Sequence, residues 1–308
     1  MIVRIKAKKL YEYTGHSQNI YALAKYEKLN QFFSAGGDGF VAVWNSQTGE
    51  NVGAALKAPL PIYSLEIIEQ QDLLVVGQID GSTHFYNLAQ KKLIKSTRVV
   101  NRPIFNFCYL PPNLLVACTG WGYLLCFDLN SFSCITQLQL SSNNLRCAAF
   151  AEKKSLLAIA GSDSKIRIYR FPSLELIQVL EYHTSSVFSI CFSKTEELLY
   201  SAGRDAYIVV WDTTSFKKVE ALPAHHFAIN QIALSPSGQY LASASMDGTI
   251  KLWEAPFLRL VKVVDRTREE GHVASVNRIL WLSQGQLISC GDDKMIFQWE
   301  FYKYGIGE

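Results

Sequence analysis

The stretch Tyr200–Asp212, YSAGRDAYIVVWD, carries Ser201 and Asp205, and His183 lies upstream in EYHTSSVFSI. Serine, histidine and aspartate are the three residue types of a hydrolytic triad, in which the imidazole takes the serine proton and the carboxylate orients the imidazole. That chemistry requires one such set. This chain has four at matched spacing: His16, Ser34, Asp38; His183, Ser201, Asp205; His225, Ser243, Asp247; and His272, Ser289, Asp293. Each set is completed by a tryptophan, Trp44, Trp211, Trp253 or Trp299. Fourfold recurrence points to a repeated structural part rather than a reaction centre.

The elements that position these residues repeat as well. FFSAGGDGFVAVWN, LYSAGRDAYIVVWD, LASASMDGTIKLWE and LISCGDDKMIFQWE are variants of one phrase, with weaker copies LVVGQIDGSTHFYN, VACTGWGYLLCFDL and AIAGSDSKIRIYRF between the first and second. The closing aromatics Trp44, Tyr86, Phe127, Tyr169, Trp211, Trp253 and Trp299 stand 41 to 46 residues apart. Within one copy, short apolar runs alternate with turn residues: SVFSICF, LLYSAG, AYIVVW and KKVEAL read as four strands. One four-stranded sheet cannot cover both of its faces, but seven arranged radially can. The expected fold is therefore all-β, a seven-bladed β-propeller of four-stranded antiparallel blades occupying residues 1–308 as one domain.

These motifs resemble those of the WD-repeat (β-transducin-like) family. Its Gly-His mark occurs as Gly15–His16 and Gly271–His272, and its Trp-Asp mark as Trp211–Asp212; His183 and His225 lack the preceding glycine, and Asn45, Glu254 and Glu300 follow the other tryptophans. The resemblance implies that each tetrad is a buried hydrogen-bond chain from indole to serine to histidine to aspartate. In blades two to four, Ala58, Val100 and Ser141 replace histidine, Tyr86, Phe127 and Tyr169 replace tryptophan, and Trp121 replaces the turn aspartate. These blades are expected to rely on apolar packing, with Cys108, Cys118 and Cys126 as small hydrophobes. Few residues follow Trp299, so the N-terminal segment, about Lys8 to Thr14, is expected to supply the outer strand of blade seven and close the ring.

The resemblance also implies that partners bind the rim bearing the histidine loops. Carried over blade by blade, the rim positions include Tyr21, Tyr63, Phe105, Arg146, Phe188, Arg204, Asn230, Asn277 and Asp292. The first three form an aromatic arc, continued by Arg146 and Phe188, with the polar residues opposite. Trp121 stands either exposed on this rim or folded over blade three. The segment Asp265–His272, longer than its counterparts, is expected to rise above the same rim as a charged loop.

Bulk composition narrows the function classes. The 308 residues are 49% hydrophobic and 19% charged, with a net charge of +3, and the isoelectric point is about 8.4. Nucleic-acid-binding domains usually lie above about 9, and no long basic run is present. The seven cysteines contain no CxxC pair, which fits free thiols in a reducing compartment. The N-terminal MIVRIKAKKLYEY lacks a signal-like apolar stretch, and the apolar runs are too short to span a bilayer. His84 and His226 read as isolated surface or loop residues. The expectation is a cytoplasmic, non-enzymatic interaction platform, monomeric alone, without cofactor or metal, that binds a protein or peptide on the histidine-loop rim. A channel-based enzyme and a nucleic-acid-binding propeller are the alternatives.

Overall fold

A computed structural model describes residues 3–305. They form seven four-stranded antiparallel sheets, each in simple meander order except the last. The first strands of the blades are Ile20–Tyr26, Ile62–Ile68, Ile104–Leu110, Leu145–Ala151, Val187–Phe192, Ile229–Leu234 and Val276–Trp281. Each contacts the corresponding strand of its neighbours, and the circle closes where Ile20–Tyr26 meets Val276–Trp281. These strands line a central channel. Fourth strands such as Asn51–Lys57 form the exposed circumference.

The second strands show why the blades need one another. Gln31–Gly36 is buried along nearly its whole length and Leu73–Gln78 throughout, because both faces meet another blade. Phe33, Val41 and Val43 of blade one pack on Ile62, Leu74 and Val76 of blade two. Such a strand reads as a continuous apolar run instead of an alternating one.

Blade seven consists of Val276–Trp281, Gln286–Gly291, Ile296–Gly305 and, as its outer strand, Val3–Tyr13. The N-terminal strand pairs antiparallel with the last strand from Val3 opposite Gly305 to Tyr13 opposite Ile296. The closure is thus longer than the Lys8–Thr14 expected; residues 1, 2 and 306–308 lie outside the described residues. Tyr13 ends the strand inside the protein, donating a hydrogen bond to Gln298 Oε1 at 2.5 Å and setting its ring edge-on to Phe32 and Trp44 of blade one. The chain's first strand therefore ties the last blade to the first.

Two expectations need correction. The segment after Asp265, expected as a loop, is in part helical. It contains the short helix Arg266–Glu269, capped by Asp265 accepting from the amides of Thr267 and Arg268 at 2.8 and 2.9 Å, and it lies against the outer strand of blade seven. Glu269 pairs with Lys262 on the preceding strand. Blades two and four also hold polar networks, so apolar packing alone does not describe them. Asp80 is held by Ser82 and Arg98, and Asp163 by Ser141 and Arg167. His84 lies in the strand Ser82–Asn87, half-buried, with its two ring nitrogens on Ser96 and Gln78, each at 2.7 Å.

Candidate functional site

In blade five, Trp211 Nε1–H donates to Ser201 Oγ at 2.9 Å, Ser201 Oγ lies 2.8 Å from His183 Nε2, and His183 Nδ1 lies 2.8 Å from Asp205 Oδ2. Asp205 is acceptor-only, so Nδ1 carries the proton, Nε2 is bare, and the serine hydroxyl donates to it. The same chain runs through Trp44–Ser34–His16–Asp38, Trp253–Ser243–His225–Asp247 and Trp299–Ser289–His272–Asp293. All four serines are completely buried. A buried hydroxyl flanked by an indole and a β-sheet cannot reach an external carbonyl, so none of the four sets can act as a nucleophile–base pair.

The aspartates do the joining. Asp205 accepts from the Thr184 amide in the histidine loop at 3.1 Å and from the Tyr207 amide in the following turn at 3.2 Å. Burial opposes its charge, but the His183 hydrogen bond and those two amides outweigh burial and keep the carboxyl below the ordinary aspartate value. Asp38, Asp247 and Asp293 are held low in the same way. His225 is pulled below the ordinary histidine value, chiefly by burial.

Gly36 and Gly203 precede these turns for a steric reason. A Cβ on Gly36 would lie 2.0 Å from the Asn19 carbonyl oxygen, and one on Gly203 2.1 Å from that of Ser186. The inner strand passes directly beneath the turn, and only glycine admits that approach.

The rim residues converge through a backbone device repeated in every blade. Pairing of the inner strand with its neighbour skips one residue between Ile20 and Ala22, and again between Ile62/Ser64, Ile104/Asn106, Leu145/Cys147, Val187/Ser189, Ile229/Gln231 and Val276/Arg278. The skipped residues are Tyr21, Tyr63, Phe105, Arg146, Phe188, Asn230 and Asn277. A bulge redirects the side chain it frees. Here seven bulges turn seven side chains into one collar around a cavity of about 310 Å³ at the channel mouth, whose lining Arg278 completes.

One half of the collar is aromatic and continuous. Tyr21 meets Tyr63 edge-on at 5.1 Å, Tyr63 stacks on Phe105 at 6.1 Å, and the Arg146 guanidinium lies 4.3 Å from the Phe105 centroid and 5.4 Å from that of Phe188. The other half is an amide network. Asn277 donates to Asp292 Oδ1 at 2.7 Å, Asn19 donates to the same oxygen at 2.9 Å, and Asn230 donates to the Val276 carbonyl and Ser275 Oγ. Arg204, expected among the rim residues, does not reach the collar; it sits in an exposed turn after Gly203. Trp121 stands exposed in its turn with Arg102 stacked 3.3 Å from its ring.

Arg278 was missed by the sequence reading. It follows Asn277 on the inner strand, one position beyond the carried-over set, and its only signal is a charge in a strand that must face the channel. Below the collar, a second cavity of about 320 Å³ shares Tyr63, Phe105, Arg146, Phe188 and Arg278 with the first and reaches Glu66, Cys147 and Cys191. Burial pushes the Glu66 carboxyl up to about 8 and also raises the thiols of Cys147 and Cys191, which leaves them protonated and unreactive. Among the described residues, no group of three His, Cys, Asp or Glu side chains is placed to hold a metal ion.

The family description "WD domain, G-beta repeat" matches residues 7–45, 174–212, 216–254 and 265–300. The chain belongs to the WD-repeat family. The four matched repeats are the four that carry a complete tetrad, and each ends at the residue after the tetrad tryptophan. The WD-repeat propeller is completed by three blades in which the tetrad has been replaced. A curated relative, "WD repeat-containing protein 1" from Gallus gallus, is 24% identical over 176 residues, covering 53% of this chain and 27% of that protein. The match thus spans about a quarter of the relative's length.

Proposed function

We propose that this WD-repeat propeller is a non-enzymatic platform whose protein or peptide partner docks on the histidine-loop rim and inserts a side chain into the collar. WD-repeat propellers are common protein-interaction scaffolds. The observation that carries the reading is the convergence of seven bulged side chains, one per blade, on a single open cavity. Bulges recur beside binding sites because they re-aim side chains. The collar has the composition of an interface centre, with Tyr, Phe and Arg gathered in one place.

The surrounding rim supports the same reading. Trp121, Phe227, Met246 and Val273 are each more than half exposed at that end of the molecule, an excess of apolar surface that a partner would cover. Nucleic-acid binding fits less well, since Arg146 and Arg278 are gathered inside the collar and form no stripe along which phosphates could track. The proposal places the chain in the cytoplasm, where its seven unpaired thiols stay reduced.

The test is selection from a library of random peptides on the immobilised protein, repeated with a Tyr63→Ala/Phe105→Ala variant. Selected peptides should bind wild type and lose binding to the variant, while its circular dichroism stays that of a folded propeller. Equal binding to both proteins would place the site elsewhere.

A further inference from the structure

The collar contains two cations, neither in contact with a carboxylate among the described residues. Arg146 donates through Nε to Ser162 Oγ at 2.9 Å, and Arg278 through Nε to the Tyr21 carbonyl at 2.9 Å. Both acceptors are neutral. No carboxylate of the described residues lies within 4.0 Å of either guanidinium, and their terminal nitrogens make no hydrogen bond to another described residue. Arg167, by contrast, is paired with Asp163, whereas Arg102 is stacked on Trp121 without a carboxylate partner among the described residues. Burial, the largest influence on both collar arginines, pulls them below the ordinary arginine value. Taking a guanidinium out of water is costly unless an anion accompanies it.

We infer that the collar is built to receive the carboxylate of an aspartate or glutamate side chain, presented by a peptide and held between Arg146 and Arg278. This rests on the proposed docking at the rim and goes further by fixing the chemistry of the inserted residue. Charge complementarity selects the occupant. Two guanidiniums stand against one nearby carboxylate, Asp292, which leaves one net positive charge at the mouth. Glu66, deeper in the channel, is mostly protonated near neutral pH and does not offset it. A singly charged anion balances the site, whereas a phosphate dianion overshoots it.

Cationic occupants are disfavoured even though the walls are aromatic. An aromatic collar could in principle hold a lysine or methylated lysine by cation–π attraction. Here Arg146 already lies over Phe105 and Phe188, so an incoming cation would find those faces taken and meet two like charges. The guanidinium fork suits a planar carboxylate, which can accept two parallel hydrogen bonds.

The experiment uses four libraries of otherwise random peptides whose central residue is fixed as Glu, Gln, Lys or phosphoserine, tested on the full chain. The Glu library should be retained roughly tenfold or more over Gln, the ratio expected from charge-assisted hydrogen bonds. Arg146→Met and Arg278→Met should each reduce that preference, and the double substitution should abolish it. Arg146→Lys, which keeps charge without the fork, should retain part of it. Melting curves identify any variant that fails to fold, and Arg146→Lys then carries the comparison. Equal retention of Glu and Gln, or preference for Lys, would overturn the inference while leaving rim docking in place. Preference for phosphoserine would overturn the carboxylate assignment. Retention of no library would refute rim docking and the inference together.

Discussion

Replacing Ser201 by alanine should be the most damaging small change available in blade five. The hydroxyl is the hub of the tetrad, accepting from Trp211 Nε1 at 2.9 Å and donating to His183 Nε2 at 2.8 Å, with no exposed surface. Its removal orphans one donor and one acceptor in the same dry site. Each orphan costs about 1–3 kcal/mol, partly offset by loss of the serine's own desolvation, so the expected destabilisation is about 2–4 kcal/mol. Blade two supplies the control. It places Ala58, Val76 and Tyr86 where blade five has His183, Ser201 and Trp211, and all three are buried. Carrying that set over as His183→Ala/Ser201→Val/Trp211→Tyr removes donors and acceptors together. The triple variant should therefore cost clearly less than the sum of its three single substitutions, because replacing every partner leaves fewer orphans than replacing one. Equilibrium urea unfolding of wild type and the five variants, compared by midpoint at constant slope, measures this. A Ser201→Ala loss below about 0.5 kcal/mol, or a triple variant as costly as the summed singles, would refute the hydrogen-bond reasoning, since surface-like substitutions fall in that small range.

Three further outcomes follow from the same structure. Glu66→Gln should stabilise the protein at high pH. The folded carboxyl titrates near 8, well above its ordinary 4.5, so the unfolded chain releases that proton first and wild-type stability falls as pH rises between those values; the melting-temperature gain of the variant should grow over that window and vanish at pH 4. The tetrads act in the opposite sense. His225 and the four turn aspartates are held below their ordinary values, so the unfolded chain binds more protons and their contribution should be lost as pH falls, first through about 6.5 for His225 and then below 3.8 for the carboxylates; His225→Gln should flatten the first part of a stability–pH curve. Removal of the strand Val3–Tyr13 should lower the unfolding midpoint of the whole ring, because it strips the outer edge of blade seven and the Tyr13 contact with blade one; an unchanged midpoint would mean that the closure contributes nothing.

Much of the architecture was legible because it rests on local, repeated constraints. The period of the closing aromatics counts the blades, and pairing of Val3–Tyr13 with the last strand completes the seventh. The serine stands four residues before the aspartate in every tetrad, because both are fixed by one strand and its turn. What the sequence hides depends on pairing between strands. Nothing in the residues around Tyr21 or Asn277 announces the skipped register that swings them into the channel; bulges arise from how two strands mesh, and here they occur at residues as different as Phe105 and Asn230. Arg278 escaped notice for that reason, since its place in the collar follows from the bulge beside it. Arg204 stands in an exposed turn and lines no part of the collar, because it leaves the turn beside Asp205 rather than the bulged inner strand. In blades two and four, the turn aspartate also draws partners from other strands: Arg98 reaches Asp80 from the fourth strand, and Arg167 joins Ser141 on Asp163 from the third. Such partners leave no fixed spacing to read.

The most direct measurement of partner docking is hydrogen exchange on the propeller with and without a selected peptide bound. Slowed exchange should appear at the seven bulged segments, from residues 20–22 round to 276–278, and at the turns of that rim, with the outer strands unchanged. Protection confined to the opposite rim or to the circumference, with the collar exchanging at its free rate, would contradict the assignment of the channel mouth as the binding site.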